Sequence, residues 1–232
     1  MIDAVLFDWG GTITPFHDID LPELWTAAAE LLAPDRVEEV AAALAAVEEQ
    51  CWDRTSDTMA SFTTAELLRI ATVELGLDVE DTVHELATTA YRSGWAPHLV
   101  SRPGAADVLR AVKDRGLRTG LLSNTHWPRD WHEDALAADG LLDYLDARIY
   151  TSEIPHLKPH PAAFAAVMDA VGTTAERAVF VGDRLYDDIS GAKALGMRTV
   201  WIRNDKVPAY VVEPDAEINE LDELLAVIDA WR

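Results

Sequence analysis

Four places in the chain carry side chains suited to phosphoryl chemistry, and each lies at or just after the end of an apolar run or in the loop beyond one. Asp8 follows Ala4–Phe7 and precedes Gly10-Gly11-Thr12. Ser123-Asn124 closes the run from Thr119, Lys158 stands before Pro159, and Asp183 follows Ala178–Gly182, with Asp187 and Asp188 close behind. A carboxylate that attacks phosphorus forms an aspartyl-phosphate and divides one hard displacement into two easier ones. Such transfers are accelerated mainly by neutralising the non-bridging oxygens. Mg²⁺ suits a site built wholly from oxygen. Asp8, Asp183 and Asp188 can supply carboxylates to it, and Gly10 a backbone carbonyl. Lys158 would hold phosphoryl oxygens and keep clustered acids ionised. Ser123 and Asn124 would bind the same group, with the backbone N–H groups of Gly11 and Thr12 as a small anion nest. Singly, each residue has an ordinary role; Asp8 as easily starts a turn bent by two glycines. Together, each beyond a different strand, they point to one edge of a parallel sheet, where open α/β sheets bind ligands.

The elements that must carry these residues follow from the hydrophobic pattern. Ala4–Phe7 reads as a buried parallel strand. Further strands are expected at Thr119–Ser123, Ala147–Tyr150, Ala178–Asp183 and Arg198–Ile202. Between them lie helices started at Pro103-Gly104 and ended by Gly116, at Pro161–Val171 closed by Gly172, at Asp187–Leu195 closed by Gly196, and at Glu220–Trp231. Strands alternating with helices imply an α/β, doubly wound, Rossmann-like parallel sheet. Residues 16–96 carry no strand signal. Asp20 and Glu23 have capping-box spacing with Pro22 early in the helix, and Thr63 and Glu66 repeat that spacing before a helix that stops at Gly76. A second helix follows Pro34, and a fourth is marked by Val83, Leu86, Ala87 and Ala90. The expected organisation is an α/β core of residues 1–15 and 97–232, with an all-helical cap of residues 16–96 set over the carboxyl edge as a lid. Trp52–Ser61 reads as loop, which places Cys51 at a helix end as inert packing.

Composition narrows the function. The 232 residues carry 41 acids against 19 Lys+Arg, a formal charge of -22. That balance repels nucleic acid and anionic membrane, so a phosphate site needs its own local positive charge. One cysteine allows no intrachain disulfide and fits a reducing compartment. With no apolar leader or long apolar run, the chain is expected to be a soluble cytoplasmic protein without membrane partners, a monomer or a homodimer.

The same segments resemble the haloacid dehalogenase superfamily: DWGGT at Asp8–Thr12, LLSN around Ser123, LKPHP around Lys158, and GDRLYDD at Gly182–Asp188. The helical insert after the first of these is similar to the family's C1 type of cap. The resemblance implies that Asp8 is the nucleophile and that Ser123 and Lys158 bind the phosphoryl group. It also implies that Asp183 and Asp188 hold Mg²⁺, with Asp187 more in place as helix N-terminal charge. The implied activity is a Mg²⁺-dependent phosphatase acting on a small phosphorylated metabolite.

One departure stands out. The family's phosphatases carry a second Asp two residues after the nucleophile as general acid and base, and Gly10 occupies that position. A missing general acid costs about 10²–10⁴-fold in rate. A metal-free dehalogenase also lacks that acid, but Asp183 and Asp188 argue for a metal. A Schiff-base mechanism needs a cap lysine, and the first lysine of the chain is Lys113. A leaving group that needs no proton, such as an acyl or aryl phosphate, would also resolve the gap. A catalytically weak scaffold that binds a phospho-ligand or a protein is the third alternative. Candidate substitute acids are His17, Asp18 and His126; Trp127 and Trp131 would shape the rim, and Arg54 is the cap cation placed to touch substrate.

Overall fold

In the computed structural model, which describes all residues Met1–Arg232, β1 (Ala4–Phe7) is the centre of a six-stranded, wholly parallel sheet. On one side it pairs with β2 (Arg118–Ser123), which pairs with β3 (Ala147–Tyr150). On the other side follow β4 (Ala178–Gly182), β5 (Arg198–Ile202) and β6 (Ala216–Ile218). β1 is apolar and buried throughout, as a strand covered on both faces requires. Phe7 is level with Leu121 and Val181, so Asp8, Ser123 and Asp183 leave the sheet side by side at its carboxyl edge. The strand order reverses at β1, and the crevice there is where this topology places ligands.

The helical insert that follows β1 in the chain holds four helices: α1 (Leu21–Leu32), α2 (Val37–Thr58), α3 (Thr64–Glu74) and α4 (Asp81–Trp95). Asp20 caps α1 by accepting the Glu23 N–H, and Thr63 with Glu66 closes a full capping box on α3. The remaining helices are α5 (Ala105–Asp114), α6 (Arg129–Ala138), α7 (Pro161–Val171), the short α8 (Gly191–Ala194) and α9 (Leu224–Trp231). One apolar core runs without interruption from Val5 and Phe7 of the sheet, through Trp9, Trp127 and Trp131, into Trp25, Leu44 and Leu67 of the helical insert. A second core, with Leu6, Phe164 and Phe180, fills the other face under α7. No helix is long and apolar enough to cross a membrane.

The structure differs from the sequence reading at five places. α2 runs on to Thr58, so Cys51 lies inside a helix and is 3% exposed, and Trp52–Thr58 is not loop. The segment after Asp183 is a wide turn, Leu185–Ser190, in which Arg184 accepts from both Asp188 and Ile189 N–H; α8 follows it. The final helix begins with a tighter turn at Leu221–Glu223. α6 has no clear apolar period, because only Trp131, His132 and Leu136 of its side chains are buried. β6 is three residues long, too short for an alternation to register.

Candidate active site

Lys158 is the hub. Its Nζ, 1% exposed, lies 2.6 Å from Asp8 Oδ1 and 2.7 Å from Asp188 Oδ1. Burial alone would lower its pKa, but the flanking carboxylates of Asp188 and Asp8 raise it, so the amine stays charged. Asp8 Oδ2 accepts from the Thr12 hydroxyl at 3.0 Å, so both oxygens of the carboxylate are fixed. The Thr12 N–H turns back to the Trp9 carbonyl; the residue therefore steadies Asp8 with its side chain and the turn with its backbone. Ser123 is 3% exposed and lines the same cavity as Asp8, Gly10, Gly11 and Lys158. Asn124 uses both ends of its amide on the Lys158 peptide, accepting from its N–H at 2.8 Å and donating to its carbonyl at 3.0 Å. That clamp aims the lysine.

Asp183 is fully buried. Its Oδ2 accepts from Asn204 at 2.6 Å and its carbonyl from the Trp201 indole at 2.9 Å. Its Oδ1 is buried without a partner, an arrangement that asks for a ligand. Carboxylate oxygens of Asp8, Asp183 and Asp188 all lie within 4.8 Å of one another. Burial first, then the charge of Asp8, pushes the Asp183 pKa up to about 6. Burial, offset by Lys158 but reinforced by Asp8 and Asp183, pushes Asp188 up to about 8. Three acids cluster where one amine pairs with two of them, and the excess negative charge, the hard oxygen donors and the unpartnered Oδ1 fit a divalent cation. Gly11 has φ +85°, and a Cβ there would collide with the Asp183 carboxylate, so the close approach of this turn to Asp183 requires glycine. Gly10 is different: a Cβ on it would enter open space.

Several contributors carried no sequence signal. Arg102 donates to the carbonyls of Gly11 at 2.8 Å and Thr12 at 3.0 Å, pinning the turn after the nucleophile from 90 residues away. Asn204 lies beyond β5, and Arg184, beside the cavity, pairs loosely with Asp187 at 3.8 Å. The candidate substitute acids fare unequally. His126 is 2% exposed, with Nε2 3.3 Å from Glu48 Oε1 and Nδ1 3.0 Å from the Thr64 hydroxyl. Asp18 is exposed and paired with Lys206. His17 lines the cavity beside His98, and burial, His98 and Lys206 lower its pKa. Arg54 is not among the cavity residues; its guanidinium lies 3.9 Å from Cys51 Sγ. Trp127 lines the cavity, whereas Trp131 packs in the core behind it.

Residues 2–196 match the haloacid dehalogenase-like hydrolases. The chain is 34% identical over 145 residues to glyceraldehyde 3-phosphate phosphatase of Pyrococcus furiosus, a stretch covering 60% of this chain and 59% of that enzyme. It thus spans about three fifths of the length of the first such relatives. It is 28% identical over 225 residues to phosphoglycolate phosphatase of Rhodospirillum rubrum, covering 95% of this chain and 86% of that one. Its fold superimposes on 2-haloacid dehalogenase of Pseudomonas syringae pv. Tomato with a TM-score of 0.70 at 25% identity, all of both chains being covered.

Proposed function

Because this chain belongs to the haloacid dehalogenase-like hydrolases, we propose that it is a Mg²⁺-dependent phosphatase that acts on a small phosphorylated metabolite through Asp8. The observation that supports this reading above others is the buried cluster of Asp8, Asp183 and Asp188, two of which pair with a single lysine amine. The phosphatases among its relatives support the same substrate class. Asp8, Asp183, Asp188 and the Gly10 carbonyl would hold Mg²⁺, which when bound supplies positive charge to the phosphoryl oxygens. Lys158, Ser123 and the Gly11 backbone N–H would face the same oxygens. An Asp8 oxygen attacks phosphorus, the bond from phosphorus to the leaving oxygen breaks, and the electron pair departs with that oxygen. Water then attacks the phosphorus of the aspartyl-phosphate, restoring the carboxylate and releasing inorganic phosphate. Thr12 and Lys158 hold the Asp8 carboxylate in one plane throughout, and Asn124 holds Lys158.

The deciding measurement is phosphate release from a panel of phosphate esters with and without Mg²⁺. Activity that needs Mg²⁺ and vanishes with EDTA supports the reading; turnover indifferent to EDTA would refute it. The likeness of fold to a dehalogenase favours a second reading, metal-free attack of Asp8 on a halogen-bearing carbon. That reading leaves Asp8, Asp183 and Asp188 with Lys158 as the one cation paired to them, and it requires chloride release from 2-chloropropionate that EDTA does not stop.

The carboxylates also predict a stability profile. Asp183 and Asp188 have raised pKa values in the fold, so the native state holds protons that the unfolded chain has lost. Stability of the metal-free protein is therefore greatest below the ordinary carboxylate value of 3.8, as far as these groups decide it, and falls as pH rises through about 6 and about 8. Mg²⁺ at about 100 times its Kd should restore about 2.7 kcal/mol at pH 8, or roughly 5–10 °C in Tm for a chain of this size. The gain should shrink toward pH 5, where protons compete. Thermal melts across this range check it; a Mg²⁺ effect that is equal at pH 5 and pH 8 counts against the carboxylate origin.

A further inference from the structure

We propose that the leaving group is an uncharged aromatic alcohol, so that the preferred substrates are aryl phosphates. The inference rests on the phosphatase reading and narrows it. It is carried by the shape and charge of the cavity around Asp8, which measures about 830 Å³, within the range of sites for drug-sized ligands. Its outer walls are aromatic: Trp52 of α2, Trp95 at the end of α4, Trp127 after β2, Phe16, and the pair Tyr186 and Tyr210, whose rings meet edge to face at 5.0 Å. Trp52 belongs to a stripe of α2, with Glu48, Thr55 and Ser56, that faces the cavity at helical spacing. Flat rings packed edge to face or stacked against such walls gain more than their buried area alone.

Charge excludes the alternatives. Lys158 and Arg184 are the only lysine or arginine among the lining residues, and both come from the sheet side. Lys158 is held by Asp8 and Asp188, and Arg184 faces Asp187. The helical insert contributes Glu48, Asp53 and His17, and no lysine or arginine. A leaving group with its own carboxylate or second phosphate would meet acids and indole rings where it needs a positive partner. Proton supply points the same way. No side chain stands at Gly10, both nitrogens of His126 are occupied by Glu48 and Thr64, and His17 packs against His98, where burial, His98 and Lys206 disfavour its protonated form. A phenol ionises near pH 10, against about 15.7 for water, so a phenolate departs without the proton that an alkoxide requires.

Intrinsic reactivity favours every aryl ester, so the test compares leaving groups of like acidity. With Mg²⁺ present, 2-naphthyl phosphate should show a KM about tenfold below that of phenyl phosphate, the second ring being the added apolar surface. Trp52→Ala should erase most of that difference. Gly10→Asp should raise turnover of glycerol 3-phosphate by about 10²-fold and that of phenyl phosphate far less. Equal KM values for the two aryl esters, or a preference for phosphoglycolate, would overturn the inference and leave the phosphatase reading standing. Turnover of no ester at all would bring both down.

Discussion

Asp8→Asn is expected to lower phosphate release by at least about 10³-fold, as loss of a nucleophile does elsewhere, while the Mg²⁺-free protein becomes more stable at pH 8. The activity loss follows from the amide's weak nucleophilicity. The stability gain follows from the surroundings. Asn is isosteric, and its carbonyl can accept from Lys158 while its NH₂ donates to the Thr12 hydroxyl, so neither existing partner is lost. One negative charge leaves the cluster, and the charge of Asp8 is one of the causes that hold Asp183 and Asp188 above ordinary carboxylates. Relief of about 1–2 kcal/mol is reasonable for a neighbouring carboxylate, or a Tm rise of roughly 2–8 °C. Phosphate assay and thermal melting on the same preparation check both halves. A variant that loses activity and stability together would show that Asp8 holds the fold, not that it reacts.

Glu48→Ala is expected to cost about 3–5 kcal/mol, since three buried donors lose their acceptor at about 1–3 kcal/mol each, which lowers Tm by on the order of 10 °C. Glu48 lies in the middle of α2 and is 3% exposed. Its Oε2 accepts from the Trp25 indole at 2.8 Å and the Tyr91 hydroxyl at 3.0 Å, and its Oε1 faces His126 Nε2 at 3.3 Å. Burial alone would raise its pKa, but His126, Trp25 and Tyr91 together bring it below the ordinary value of 4.5. The stabilisation is therefore complete above pH 4.5 and fades as pH falls through the lower native value. Alanine removes the acceptor and strands three buried donors at once. Glu48→Gln retains a carbonyl for Trp25 and Tyr91, so its loss should be about 1–2 kcal/mol. Because His126 follows Ser123-Asn124 and ties back to Thr64 of α3, the alanine variant should also raise KM. Equal melting temperatures for the alanine and glutamine variants would show that the network contributes little.

The sheet and the acids at its carboxyl edge were legible in the sequence for a plain reason. A buried parallel strand must be apolar end to end, so Ala4–Phe7 and Ala178–Gly182 announce themselves, and Asp8 and Asp183 at their ends are placed by the strand geometry alone. Capping residues likewise mark helix starts locally, as Asp20 and Thr63 do. Asn124 was found but its task was not, since a side-chain amide that reads as a ligand for substrate spends both ends on the Lys158 peptide.

What the chain settled by itself was the order of elements and which acids stand at strand ends, because both depend on residues a few positions apart. Partnerships between distant residues were decided only in three dimensions. Arg102 reaching the Gly11 carbonyl, Asn204 reaching Asp183 and Glu48 gathering Trp25, Tyr91 and His126 join segments 21 to 91 residues apart. No period in the sequence encodes such meetings; they follow from how the helical insert packs on the sheet, and the same packing assembles the aromatic walls that surround Asp8.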